Sequence, residues 1–328
     1  MKILAYPAPS GSSIWRLKDP FKYLNKLGID AQIADETITD KAAQWADIVV
    51  LQSTVNKEGI ALLRAYQQLH GLKIVVDSDD LLELNDDNPH AVEHKIANAS
   101  EVIKVTMEIA DLITCTTETL ANKLRKINKN VKILPNYMDL ERWDLPKQKN
   151  TTDRIRIGWA GSATHLNDLK SIINPLVKAK EEYPQIDYIF VGESRIRDLF
   201  PFPVEIMMGV PFDMWPSKLH SLRLDIALAP LTNTVFNQCK SNIKFQEYAI
   251  AQYPGIYAPI VYNSQFFEPK FGIVAEDEDH WYRAIKHLID YPQRRTEIAD
   301  NAYELVKRKF SLERHIPEWS AAYKQLTQ

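Results

Sequence analysis

Short runs of β-branched and apolar residues alternate along this chain with longer stretches whose apolar positions recur at helical spacing. That alternation predicts parallel sheets with helices on both faces. In the first half the predicted strands are Ile3–Tyr6, Ala31–Ala34, Ile48–Leu51, Ile74–Asp77, Leu112–Thr116 and Val131–Leu134. Helices fit between most of them, among them Pro20–Leu27 before Gly28 and Lys57–His70 before Gly71, two glycines suited to a helix C-cap. Pro135 stops the sixth strand, and the polar segment 147–154 (KQKNTTDR) reads as a linker. The plan then repeats, with strands predicted at Ile155–Trp159, Tyr188–Val191, Val204–Met207, Asp225–Ala229, Ile256–Ala258 and Ile273–Ala275. Helices are predicted over Asn167–Tyr183, Pro216–Leu224, Ser241–Gln252, Asp279–Tyr291, Glu297–Lys309 and Leu312–Gln325. The expected fold class is α/β, with two Rossmann-like domains facing a central cleft, over residues 1–146 and 147–310, and a C-terminal helix over 311–328.

Composition agrees with that size. With 328 residues, 45% hydrophobic and 25% charged, the chain has material for two sizeable cores. A net charge of −3 excludes the global basic field that dominates nonspecific nucleic-acid binding. The basic run Lys123, Arg125, Lys126, Lys129 and Lys132 is the local exception, either a solvated face or a surface for an anionic acceptor. Cys115 and Cys239 are far apart, without metal-ligand spacing, and Cys115 sits in the apolar run LITC as a core thiol would. MKILAYPAP reads as a strand rather than a signal sequence, and no segment approaches 18 uninterrupted apolar residues. A soluble, cytoplasmic protein is expected.

Chemistry concentrates in a few segments. In RIGWAGSATHLNDL a strand runs through Gly158 and Gly161 into a helix start, which suits either close approach of backbone N–H groups to a phosphate or simply a tight turn. His165 in this segment would hydrogen-bond such a phosphate, or cap the helix. Asp79 and Asp80, in DSDD after a predicted strand, are candidate catalytic groups that would orient or deprotonate an acceptor hydroxyl; the other reading is a helix cap. Gly11, Ser12, Ser13 and Arg16 form a candidate lip to the cleft, while His90 and His94 lie in a helix-like stretch of weaker promise.

Four segments, ILPNYMDLERW, IGWAGSATHLNDL, DIALAPL and KSNIKFQEYAIAQ, together resemble the GT-B glycosyltransferases of the retaining, family 4-like group, over about residues 130–310. The resemblance implies an enzyme that moves a sugar from a nucleotide diphosphate sugar, such as a UDP-sugar, to an acceptor hydroxyl with retention. It assigns Glu247 to the ribose hydroxyls, because an ionised carboxylate accepts from both members of a cis-diol. Lys240 and Lys244 would face the diphosphate, with Lys240 also a candidate for stabilising the leaving group, and Gly161, Ser162 and His165 would meet the phosphates. Ser241 and Asn242 would cap the helix, bind phosphate, or both. Cys239 departs from the pattern, standing where the family usually carries a sugar-contacting glutamate. The resemblance implies no cofactor and no metal, and a final helix that crosses back to the first domain. Expected acceptors are a saccharide, a lipid-linked group or a hydroxymethylated DNA base. A nucleotide-sugar epimerase and a non-catalytic nucleotide-binding module are the other readings.

Overall fold

A computed structural model describes residues 1–8, 11–34, 38–52, 57–81, 99–262 and 268–328; His90 and His94 lie outside them. The chain divides into two compact units. The first holds Met1–Asp139, Cys239–Ser241 and Ser311–Gln328; the second holds Leu140–Gln238 and Asn242–Phe310.

The first unit contains a six-stranded parallel sheet of β1 (Lys2–Tyr6), β2 (Asp30–Ile33), β3 (Ile48–Leu51), β4 (Lys73–Ser78), β5 (Leu112–Cys115) and β6 (Val131–Ile133), in the order β2-β1-β3-β4-β5-β6. Both faces are covered, so the central strands are apolar throughout rather than alternating. Ile3, Ala5, Ile48, Val50 and Val75 face one core, closed by Phe21, Leu24, Ile316 and Trp319. Leu4, Val49, Leu51, Ile74 and Val76 face the other, closed by Leu63, Met107, Leu120 and Leu124. The terminal helix Leu312–Lys324 is part of this unit, where Trp319 is fully buried.

The second unit repeats the plan with β7 (Ile155–Ala160), β8 (Ile186–Val191), β9 (Glu205–Met207), β10 (Ile226–Ala229), β11 (Gly255–Tyr257) and β12 (Ile273–Val274), in the order β12-β11-β10-β7-β8-β9 and all parallel. Ile157, Trp159, Phe190, Ile226, Leu228 and Ile256 pack under Leu169, Leu176, Trp281 and Ile285.

Three differences from the sequence reading have physical causes. The helix expected over Asn167–Tyr183 is two, Leu166–Lys170 and Ile173–Glu182, because Pro175 has no N–H and its ring collides with the preceding turn unless it lies in a first turn. The polar segment 147–154 belongs to the second unit, where the Asn150 side-chain amide donates to Asp225 Oδ2 at 2.7 Å. The boundary instead follows Asp139, and the short helix Leu140–Trp143 already packs in the second unit, with Trp143 fully buried. No helix among the described residues is long and apolar enough to cross a membrane.

Candidate functional site

In the second unit the connections after β7 and β10 leave in opposite directions along the sheet. The carboxyl ends of these neighbouring strands therefore form the switch point where open α/β sheets bind ligands. The segment after β7 contains Gly161, Ser162 and His165. Gly161 donates its N–H to the Val191 carbonyl at 3.1 Å, so that amide is committed to the sheet, and Ser162 carries the next amide along the turn. The glycines serve packing: a Cβ on Gly158 would strike the Leu224 methyls, and one on Gly161 would strike the Trp159 ring. Gly192, at φ +110°, abuts the Gly161 carbonyl. His165 ends a short 3-10 turn before the helix Leu166–Lys170.

Behind His165 stands Asp168, which sequence reasoning missed. It is buried, and its Oδ2 accepts from His165 Nδ1 at 2.8 Å. Its Oδ1 accepts from the Thr232 amide at 2.8 Å, the Thr232 hydroxyl at 2.7 Å and the Asn237 side-chain amide at 2.8 Å. Burial alone would push this carboxyl up, but the bonds from His165 and Thr232 outweigh it and hold it below the usual carboxylate range. The visible signal was the spacing of His165 and Asp168 at a helix start; nothing in the sequence marked Thr232 or Asn237.

Beyond β10, the helix Ile243–Ile250 carries Lys244 and Glu247 three residues apart on one face. Tyr248 pins it to the sheet by donating its hydroxyl to the Leu228 carbonyl of β10 at 2.9 Å. Glu247 is only 2% exposed, and a buried carboxylate is tolerable only when partnered. Its Oε1 accepts from Trp215 Nε1 at 3.0 Å and its Oε2 from Lys244 Nζ at 2.9 Å, while the Lys244 ammonium sits 5.7 Å from the Trp215 ring centroid. An ionised carboxylate has about four acceptor sites, so these two donors leave capacity for a diol. Trp215 lies far from Glu247 in sequence and no motif marks it. Asn242 takes the N-cap position, but its Oδ1 accepts from the Gln246 side chain at 2.9 Å instead of capping a backbone amide.

Lys240 and Ser241 precede that helix and belong to the first unit. Lys240 reaches Asp80 Oδ1 at 3.3 Å, and Ser241 accepts from the Asn136 side-chain amide at 2.9 Å. Cys239 is buried in the first unit's core, and its carbonyl accepts from the Thr117 hydroxyl at 2.9 Å. Around them, at the carboxyl end of β4, lies a charged cluster. Arg16 is not a lip residue: it is fully buried, with a bidentate pair to Asp77 at 3.0 and 2.7 Å and a bond to Asn136 Oδ1 at 3.1 Å. Thr114 donates its hydroxyl to Asp77 at 2.6 Å. Asp79 is half-buried beside this pair. Burial first, then the charges of Asp80 and Asp77, push it up to about 7, against the pull of Arg16 and a hydrogen bond from Ser12. In the basic run, Arg125 pairs with Glu118 at 2.5 Å and Lys126, Lys129 and Lys132 are exposed. No group of three or more metal-ligating side chains occurs among the described residues.

Two Rossmann-like units, each with a six-stranded parallel sheet, define the GT-B fold of glycosyltransferases. Solved structures agree across the whole chain. Sucrose-phosphate synthase from Thermosynechococcus elongatus matches with a TM-score of 0.67 and 13% identity, covering 100% of this chain and 99% of that one. Anabaena HepE, solved with UDP and glucose, matches at 0.71 and 12% identity, covering 99% of each. A glycosyltransferase from Rickettsia africae matches at 0.68 and 14% identity, covering 100% of this chain and 98% of that one. No protein-family model and no curated protein matches the sequence.

Proposed function

We propose that this protein is a glycosyltransferase that moves a sugar from a nucleoside diphosphate sugar, in the first instance a UDP-sugar, to an acceptor hydroxyl with retention. The observation that carries the reading is the buried Glu247 held between Trp215 and Lys244 on the helix after β10. A preoriented, ionised acceptor beside a cation suits a ribose diol next to a diphosphate, and HepE, of the same fold, was solved with UDP-glucose. Lys244, the Ser162 amide and His165 would stabilise the charge that develops as the nucleoside diphosphate departs. Beyond the donor and an acceptor hydroxyl, this reading calls for no cofactor. Cys115 and Cys239, both buried and unpaired, suit a reducing compartment such as the cytoplasm.

In the first unit, Asp79 has the chemistry for proton transfer at the acceptor, because a carboxyl near neutrality exchanges protons readily at cellular pH. Its raised position has a stability consequence. Between its ordinary value of 3.8 and about 7 the folded protein holds a proton that the unfolded chain has lost, so stability falls as pH rises through that window. Asp79→Asn is expected to remove this part of the pH dependence, read as urea midpoints across the window; an unchanged slope would contradict it.

The activity is tested with a panel of nucleotide sugars and with saccharide, lipid-linked and hydroxymethylated-DNA acceptors. Release of nucleoside diphosphate that needs an acceptor is expected. Interconversion of the sugar without acceptor would establish an epimerase instead, and binding without turnover against every acceptor would contradict the transferase.

A further inference from the structure

Asp168 does more than close a loop. One of its oxygens gathers three donors from the segment after β10, while the other is given to an imidazole on the segment after β7. A single buried carboxylate thus ties together the two loops that flank the switch point of this sheet. Its ionised form is acceptor-only, so the nitrogen 2.8 Å away must bring the proton to the contact. That fixes which ring nitrogen of His165 is protonated and how the ring is turned, as outer-shell carboxylates do for functional histidines elsewhere.

We propose that Asp168 is a positioning residue for His165, holding its proton on Nδ1 and its ring in one orientation so that Nε2 addresses the diphosphate of the donor. The proposal rests on the reading of the second unit as the nucleotide-sugar unit. The anchoring is rigid: Asp168 lies in the first turn of the helix Leu166–Lys170, its backbone carbonyl accepts from the Ser171 hydroxyl at 2.6 Å, and its side chain is 4% exposed.

The test combines nitrogen-15 NMR of the histidine rings with UDP binding by calorimetry. In the wild type, His165 Nδ1 is expected to carry a proton; in Asp168→Asn that proton is expected to leave Nδ1, because the amide can donate to the ring. UDP affinity is expected to fall about tenfold in both Asp168→Asn and His165→Ala, with the double variant no weaker than His165→Ala alone, as two residues acting through one contact require. An unprotonated Nδ1 in the wild type overturns the positioning role and needs no variant to fold. So does full UDP affinity in Asp168→Asn alongside a loss in His165→Ala. A protonated Nδ1 with full affinity in both variants overturns instead the donor reading on which the proposal rests.

Discussion

Replacing Glu247 with glutamine is expected to abolish the thermal stabilisation that a UDP-sugar gives this protein while leaving it folded. The carboxylate holds Trp215 Nε1 and Lys244 Nζ, and the glutamine carbonyl keeps an acceptor for the buried indole, so that donor is not stranded. What is lost is the charge. Two hydrogen bonds from a diol to a carboxylate contribute about 1.5–3 kcal/mol each, and weakening both costs about 2–4 kcal/mol of binding, or roughly 30- to 1,000-fold in affinity. Lys244 is released as well, which compounds the effect. The stabilisation a ligand gives grows with the logarithm of one plus its concentration over its dissociation constant, so at ligand concentrations below the weakened dissociation constant a loss of this size removes the shift. Lys244→Ala should weaken binding too, with Trp215 still bonded to Glu247. Retention of full affinity in both variants would contradict the assignment.

Replacing Arg16 with methionine is expected to be the most destabilising single change in the first unit. The guanidinium is fully buried and binds Asp77 through two nitrogens, with Asn136 as a further partner and the Trp319 ring 5.8 Å from its centre. Methionine approximates its stem but leaves Asp77 as an uncompensated buried carboxylate, with only the Thr114 hydroxyl and its surroundings to satisfy it. Breaking one side of a buried ion pair typically costs about 3–5 kcal/mol, most of it the penalty on the partner left behind. Urea unfolding measures this directly. The companion change Asp77→Asn in the same background should recover part of the loss, since it removes the stranded charge. A double variant no more stable than Arg16→Met would show that the pair is not the source.

Most of the scaffold was legible because burial on both sheet faces leaves the strands as short apolar runs, as in IVVL at β3 and IALA at β10. Helix interruption was less so: Pro175 breaks the pattern in a place that apolar spacing alone bridges. Arg16 was misread because its loop looks polar, whereas the chain turns helical there and carries the guanidinium to a buried partner distant in sequence. Lys244 and Glu247 were legible as a pair because three-residue spacing on a helix puts them on one face. Their third partner, Trp215, was not, since only folding brings the segment after β9 to that helix. Lys240 lies just before that helix and pairs with Asp80, a partner 160 residues away that no spacing along the chain marks.

The central claim is that the second unit binds a nucleoside diphosphate sugar through Lys244 and Glu247. A crystal structure of the protein soaked with UDP tests it most directly. The ribose hydroxyls are expected on Glu247, with the diphosphate between Lys244 and the segment from Ser162 to His165. A nucleotide bound away from these residues would contradict it.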